Sequence, residues 1–292
     1  MLNSSYSGPR LDIIRRSRLI LPINIKKYVD NAYKRNADAV VLDLEDSIPE
    51  NEKHNARQLV SEAIPIVGRG GSDVFVRINH FNEHTESDIK ASVWHGLTGI
   101  VLPKVEDAAQ VQEIDQKITS LEQKRGIPEN TIKISILIET VKGYYSLREI
   151  VTSSHRIDSV TLGVEDFALD AGIESSVSGQ ELLVPKMETV FAARIAGILP
   201  MGLMGSMINY KDLKGLEQSA RHAYKCGYLG ASCIHPSQVE ILNKSFSPTA
   251  EEVEFSKRVI NVFNEALTKG RASTSLDGKM IDYPLFYKAK RV

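Results

Sequence analysis

The feature that most constrains this chain is a rhythm. Short apolar, β-branched runs recur along it, each followed by a stretch with helical periodicity. Eight runs can be counted: Arg18 to Ile23, Ala39 to Asp43, Val74 to Asn79, Gly99 to Lys104, Ile134 to Glu139, Ser159 to Glu165, Leu199 to Leu203 and Gly230 to His235. Parallel strands that each return through an outer helix demand this alternation, and eight of them predict a closed (β/α)8 TIM barrel. The seventh run is assigned from its place in the series, because Met201-Gly202-Leu203 has poor strand propensity. Between the runs, Ile25, Tyr28, Val29, Ala32 and Tyr33 share one helical face, as do Ala108, Val111, Ile114, Ile118 and Leu121. A length of 292 residues is ordinary for such a barrel as a single unit.

Beyond the eighth run a helix is expected from Ala250 to Leu267, with Thr249 as N-cap and Glu252 completing a capping box. Gly270 to Ser275 reads as a linker, and Leu276 to Pro284 is too apolar for a frayed tail. The expected organisation is a catalytic barrel over residues 1–269 and a C-terminal arm over residues 270–292. Such an arm exposes Leu276, Met280, Ile281, Tyr283, Leu285 and Phe286 unless it docks on a surface. The chain's own barrel offers one, as for many C-terminal segments, and a neighbouring subunit offers another; the second predicts a homo-oligomer, a trimer or a hexamer built from trimers.

The 36 Lys+Arg against 37 Asp+Glu leave a net charge of -1 with no basic stripe, so nucleic acid is excluded as a partner. No apolar run is long enough to span a bilayer and the start lacks a signal-peptide pattern, so a soluble, cytoplasmic protein with no membrane partner is expected. Cys226 and Cys233 stand in neither metal nor redox spacing and read as small core residues.

In a barrel of this kind the active site lies at the carboxyl ends of the strands. Those ends carry Asp43-Leu44-Glu45-Asp46, Arg77-Ile78-Asn79, Lys104-Val105-Glu106, Glu139-Thr140, Glu165-Asp166 and His235-Pro236. Taken singly, a terminal carboxylate can be a helix cap or a solvated charge. Five charged strand ends converging on one mouth must pair with one another or bind an ion. An acidic cluster without His or Cys at ligand spacing favours a hard, oxygen-bound cation, Mg2+, over zinc. Lys104 at a strand end has the position of a Schiff-base lysine, but neighbouring Glu106 suggests an ion pair. His235 reads as a brace for the strand-eight loop, and the chain carries no nucleophile elbow, Walker loop or dinucleotide fingerprint.

These segments, with Arg15-Arg16-Ser17-Arg18-Leu19, Val76-Arg77-Ile78-Asn79, Leu102-Pro103-Lys104-Val105-Glu106, Gly163-Val164-Glu165-Asp166-Phe167 and Asp277-Gly278-Lys279-Met280-Ile281-Asp282, occur in a characteristic order. In that order the chain resembles, over nearly its whole length, the citrate lyase beta-chain group of the HpcH/HpaI aldolase family, relatives of malyl- and citramalyl-coenzyme A lyases. The resemblance implies a metal site of Glu139 and Asp166, with Glu139 also touching substrate. It implies Arg77 beside the reacting carbonyl, Arg16 near the substrate carboxylate, Glu45 and Asp46 holding metal-bound water, and Asp282 as an acid/base supplied by a neighbouring subunit. The implied reaction is Mg2+-dependent cleavage or condensation of a 3-hydroxyacyl thioester of the citramalyl-, malyl- or citryl-coenzyme A type, giving a 2-keto acid and an acyl thioester. Two alternatives stand beside it: the beta chain of a multi-subunit citrate lyase acting on an acyl carrier protein thioester, and a catalytically inactive scaffold barrel. The chain departs from the family pattern at Ile23, where relatives carry glycine, and in the stretch after strand seven containing Met204 and Met207, where relatives carry acidic residues. An apolar loop there predicts a substrate with less negative charge near strand seven, which favours citramalyl over citryl thioesters.

Overall fold

The computed structural model of the chain describes residues 13–174, 176, 178–205 and 211–292. It divides into two compact units, Met1–Phe246 and Ser247–Val292. The first holds eight parallel strands: β1 (Ser17–Pro22), β2 (Ala39–Asp43), β3 (Asp73–Arg77), β4 (Gly99–Leu102), β5 (Lys133–Ile138), β6 (Ile157–Leu162), β7 (Leu199–Met201) and β8 (Ala231–Cys233). Each pairs in parallel with its neighbour in sequence from β1 to β7, and β1 also pairs with β8. A parallel bridge from Met201 to Gly230 joins the remaining two edges, so the sheet closes on itself as a (β/α)8 barrel. Closure depends on Gly230, where a Cβ would stand 1.9 Å from the Arg15 carbonyl oxygen.

The predicted runs become these strands, with β2 unchanged, the other carboxyl ends trimmed, and β1, β3, β5 and β6 starting one or two residues earlier. The largest shift is at β6, which stops at Leu162, so that Glu165 and Asp166 lie in the first turn of the helix Val164–Ala171. Along each strand alternate side chains point inward. Ala39, Val41, Phe75, Val101 and Leu137 form a small cluster inside the barrel, and the larger core lies between the sheet and the helices. Cys233 is buried in that core and Cys226 is half-buried. None of the described helices is long and apolar enough to cross a membrane.

The second unit is the helix Ala250–Thr268, a hairpin of β9 (Thr274–Leu276) and β10 (Lys279–Ile281), and the helix Tyr283–Ala289. Thr249 and Glu252 form the expected capping box. Two departures from the sequence reading matter. Residues 274 and 275 belong to a strand, because Asp277 at φ 51° and Gly278 at φ 74° make the tight turn that an Asp-Gly hairpin requires. The unit also has its own apolar cluster, in which Ile281, Phe286 and Ala289 pack on Val259 and Phe263 of the long helix. The helix therefore groups with the arm, where the sequence reading put the boundary at residue 269. It covers much of the arm's apolar surface: Leu276, Tyr283 and Leu285 are partly buried against this cluster, and Met280 remains 68% exposed.

Candidate active site

Parallel strands deliver their carboxyl ends to one face, and the charged residues gather there. Arg77, the last residue of β3, donates from Nε and Nη2 to the two oxygens of Asp43, the last residue of β2, both at 2.7 Å. This two-pronged grip matches the planar guanidinium to a carboxylate. Asp43 also accepts from the amides of Glu45 and Ser47 and from the Ser47 hydroxyl. Burial works against its charge, but the hydrogen bonds and charge of Arg77 hold its carboxyl below the ordinary carboxylate range. Arg77 is in turn held above its ordinary pKa by Asp43, Glu45 and Asp46 despite its own burial, so its charge is permanent.

The third nitrogen, Arg77 Nη1, lies 3.0 Å from Glu45 Oε2 and 3.3 Å from Asp46 Oδ2. The Glu45 contact is not aligned for hydrogen bonding, which leaves Oε2 buried without a hydrogen-bond partner. Lys104 extends its ammonium between two carboxylates, 3.4 Å from Glu45 Oε1 and 3.8 Å from Asp166 Oδ1. Its expected partner Glu106 binds Lys142 instead, at 2.8 Å. The pairing fails because Lys104 adopts φ 50° and turns its chain into the mouth. Partial burial opposes the charge of Lys104, but the surrounding carboxylates raise its pKa above the ordinary lysine value. A Schiff-base lysine needs the opposite shift, so that reading is excluded.

Glu139, one residue past β5, is buried and accepts a 2.9 Å hydrogen bond from the Lys104 amide at Oε2. Burial first, and the charge of Asp166 second, push its carboxyl up to about 7. Gly163, between β6 and the helix that carries Asp166, packs directly on it. A Cβ at Gly163 would stand 2.4 Å from Glu139 Cγ, so only glycine admits the carboxylate there. Burial, reinforced by Asp46 and Glu139 against the pull of Arg77 and Lys104, likewise pushes Glu45 up to about 7.

Glu139 and Asp166 fit a hard cation. Both are oxygen donors, the charge of Asp166 disfavours that of Glu139, and Asp166 is open to solvent where water and substrate can complete a coordination shell. Among the described residues no group of three Asp, Glu, His or Cys side chains is placed to hold a metal ion by itself.

Arg77, Glu45, Asp46, Glu139 and Asp166 thus meet in one mouth, joined by Asp43 and Lys104, which the sequence reading did not count as site residues. Arg16 does not join them. It stands before β1, at the amino end of the barrel, where Nε and Nη2 bind Asp38 at 2.8 and 3.0 Å. Six residues of strand, about 20 Å at ~3.3 Å per residue, separate it from the mouth. Asp282 lies in the second unit, where its carboxylate accepts from the Leu285 amide at 3.2 Å and caps the last helix. His235 caps the turn after β8 through Ser237. Met204 is buried, and its carbonyl accepts from the buried ammonium of Lys186 at 2.7 Å, so a cation stands beside the apolar stretch after β7. Met207 lies outside the described residues. A lone buried lysine on a helix face carries no sequence signal, and Lys186 was missed for that reason.

Residues 16–236 match the family described as HpcH/HpaI aldolase/citrate lyase. Citrate lyase subunit beta of Leuconostoc mesenteroides subsp. cremoris is 35% identical over 280 residues, covering 96% of this chain and 92% of its own. Mitochondrial citramalyl-CoA lyase of Rattus norvegicus is 28% identical over 289 residues, covering 95% and 85%. Among solved structures, CitE from Mycobacterium tuberculosis in complex with magnesium, acetoacetate and coenzyme A superposes with a TM-score of 0.75 at 25% identity, over 94% of this chain and 95% of that one.

Proposed function

The chain belongs to the HpcH/HpaI aldolase/citrate lyase family and is a lyase of that family, and from that premise we propose that it cleaves or forms the carbon-carbon bond of a 3-hydroxyacyl thioester with Mg2+ held by Glu139 and Asp166. The observation that carries this reading is the carboxylate pair itself: a buried Glu139 pressed on Gly163, raised to about 7, facing an open Asp166. The ion in the mycobacterial CitE complex is magnesium, which agrees with that donor set.

Bound there, Mg2+ supplies Lewis-acid polarisation to the oxygens of the substrate. The protein's own groups do the rest. Lys104 aims its amide at Glu139 and holds the carboxylate in place. Asp43 grips two nitrogens of Arg77, so only Nη1 is left to turn from Glu45 toward a substrate oxygen. Arg77 then stabilises the negative charge that develops on the thioester carbonyl when the bond breaks and an enolate leaves. Glu45, titrating near neutrality, exchanges a proton with the substrate hydroxyl, with Asp46 beside it. Asp282 of a neighbouring copy protonates the enolate carbon, which makes the working unit a homo-oligomer, a trimer or hexamer.

A second reading, the beta chain of a multi-subunit citrate lyase acting on an acyl carrier protein thioester, is favoured by one observation. The citrate lyase beta subunits reach 33 to 35% identity, against 26 to 28% for the citramalyl-CoA lyases. Purified protein incubated with Mg2+ and malyl, citramalyl or citryl thioesters, each on coenzyme A and on acyl carrier protein, tests both. Release of a 2-keto acid from a coenzyme A thioester supports the first reading, and release only from the carrier protein supports the second. No release from any of them would contradict both readings.

A further inference from the structure

Inside the barrel, beneath the mouth, lies a cation that no carboxylate among the described residues contacts. Arg18, the second residue of β1, is 2% exposed, and its guanidinium donates only to hydroxyls: Nε to Ser232 at 3.0 Å, Nη1 to Ser135 at 2.7 Å and Nη2 to Thr161 at 3.1 Å. A guanidinium has five N–H donors, so about two remain unused. The nearby carboxylate Asp158 is engaged by Arg15 at 2.6 Å. Burial, with Arg15 and Arg77 repelling it and Asp158 offsetting only part, lowers the pKa to about 10, so the group is charged at neutral pH. A buried charge without its counter-ion is expensive, and an anion brought to it offsets that cost.

The place where an anion can approach is marked by exposure. Leu137 and Thr161 point inward one step below Glu139 and Gly163, and each is 8% exposed although the outer faces of their strands are covered. They are the floor of the mouth. The Thr161 hydroxyl accepts from Arg18, which turns its own proton away from the guanidinium, and no acceptor for that proton stands among the described residues. Thr161 lies two strand positions below Gly163, about 6.6 Å at ~3.3 Å per residue. A carboxylate one methylene beyond a keto carbon held at Glu139 covers roughly half of that span, and a hydrogen bond of about 2.8 Å covers the rest.

We propose that Thr161, oriented by Arg18, forms an anion subsite at the floor of the mouth that takes a second carboxylate on the 2-keto acid fragment. The proposal rests on the keto-acid reading above and names the substrate class: a dicarboxylic 2-keto acid, distinguished from a monocarboxylic one at the barrel floor and not at the loop after β7. Thr161 touches the ligand, and Arg18 is a positioning residue.

The test is calorimetric binding of oxaloacetate and of pyruvate to the Mg2+-loaded protein. Wild type should bind oxaloacetate more tightly. Thr161→Val keeps the shape and removes the donor, so oxaloacetate should weaken by about tenfold or more while pyruvate changes by less than about twofold. Thr161→Ser should restore the preference, and Arg18→Met should repeat the loss. If Arg18→Met does not fold, the Thr161→Val and Thr161→Ser pair decides. Equal weakening of both keto acids, or undiminished oxaloacetate binding to Thr161→Val, overturns the subsite and leaves the keto-acid reading standing. Failure of wild type to bind either keto acid overturns both.

Discussion

The backbone amide of Lys104 reaches Oε2 of Glu139 at 2.9 Å because Lys104 sits in the left-handed region, at φ 50°. Few residues other than glycine adopt that conformation, and it is tolerated where surrounding structure enforces it. One residue thus supplies two functions, an amide that fixes the carboxylate and an ammonium between Glu45 and Asp166. Lys104→Gly separates them. It keeps the amide and relieves strain of about 1 kcal/mol, so thermal stability should hold or rise while turnover falls. A melting temperature several degrees lower would show that the ammonium, not the backbone, holds the mouth together.

Gly163→Ala should damage the site without unfolding the barrel. The new methyl meets Glu139 at 2.4 Å and must displace it, an overpacking cost of about 1–3 kcal/mol. Turnover should fall by roughly a hundredfold, since a carboxylate shifted by about 1 Å no longer presents its oxygens correctly. A circular dichroism spectrum like wild type with Mg2+ affinity intact would contradict the placement of Glu139.

Arg77→Lys keeps a positive charge and loses the grip on Asp43. The rate constant kcat should drop by a factor of about a hundred or more while KM changes little, because the interaction is made chiefly with charge that develops during the reaction. Removing the charge altogether, Arg77→Ala, leaves Asp43 buried and unpaired at a cost of about 3–5 kcal/mol, measurable as a lower urea midpoint. A change confined to KM would limit Arg77 to substrate binding.

The raised carboxyls predict a pH dependence. Glu139 and Glu45 titrate near 7 in the folded protein, well above the ordinary glutamate value of 4.5. An acid with a raised folded pKa holds its proton longer folded than unfolded, so apoprotein stability should decline as pH rises from about 4.5 to about 7 and level off above. A metal ion needs the ionised form, so Mg2+ affinity should climb over the same window and binding near pH 6 should release protons. Calorimetry in buffers of different ionisation enthalpy reads both, and affinity independent of pH between about 5.5 and 7.5 would contradict the assignment.

Most of the barrel was legible because burying a parallel strand on both faces needs an unbroken apolar run, and seven of the eight runs are plain. β7 has three residues, one of them Pro200, and only the count of its neighbours identified it. Partners across the mouth were less legible. Glu106 stands two residues from Lys104 in sequence, yet a left-handed backbone sends the lysine to Glu45 and Asp166. The N-terminal arginines show the same limit: Arg16 precedes the strand and falls to its amino end, while Arg18 enters the barrel, a distinction set by where β1 begins. The Asp277-Gly278 turn is readable from residue type alone, and it makes Thr274 and Ser275, at the end of the expected linker, part of a hairpin strand.

The trans role of Asp282 has its own test. Packing of Ile281 and Phe286 on Phe263 covers apolar surface that would otherwise have demanded a partner, so the role rests on chemistry and resemblance alone. Glu139→Ala and Asp282→Ala proteins should each be inactive, and hetero-oligomers refolded from both should recover part of the activity. An active monomer, or no recovery from verified mixed oligomers, would remove Asp282 from the neighbouring site.

The central claim, a Mg2+ ion held by Glu139 and Asp166 for carbon-carbon cleavage, is met most directly by turnover of a 3-hydroxyacyl thioester before chelation, after exhaustive chelation, and after Mg2+ is restored. Wild type should lose all activity on chelation and regain it with Mg2+, while folded Glu139→Ala and Asp166→Ala proteins stay inactive at saturating Mg2+. Undiminished turnover by the chelated wild type, or by either variant, would contradict it.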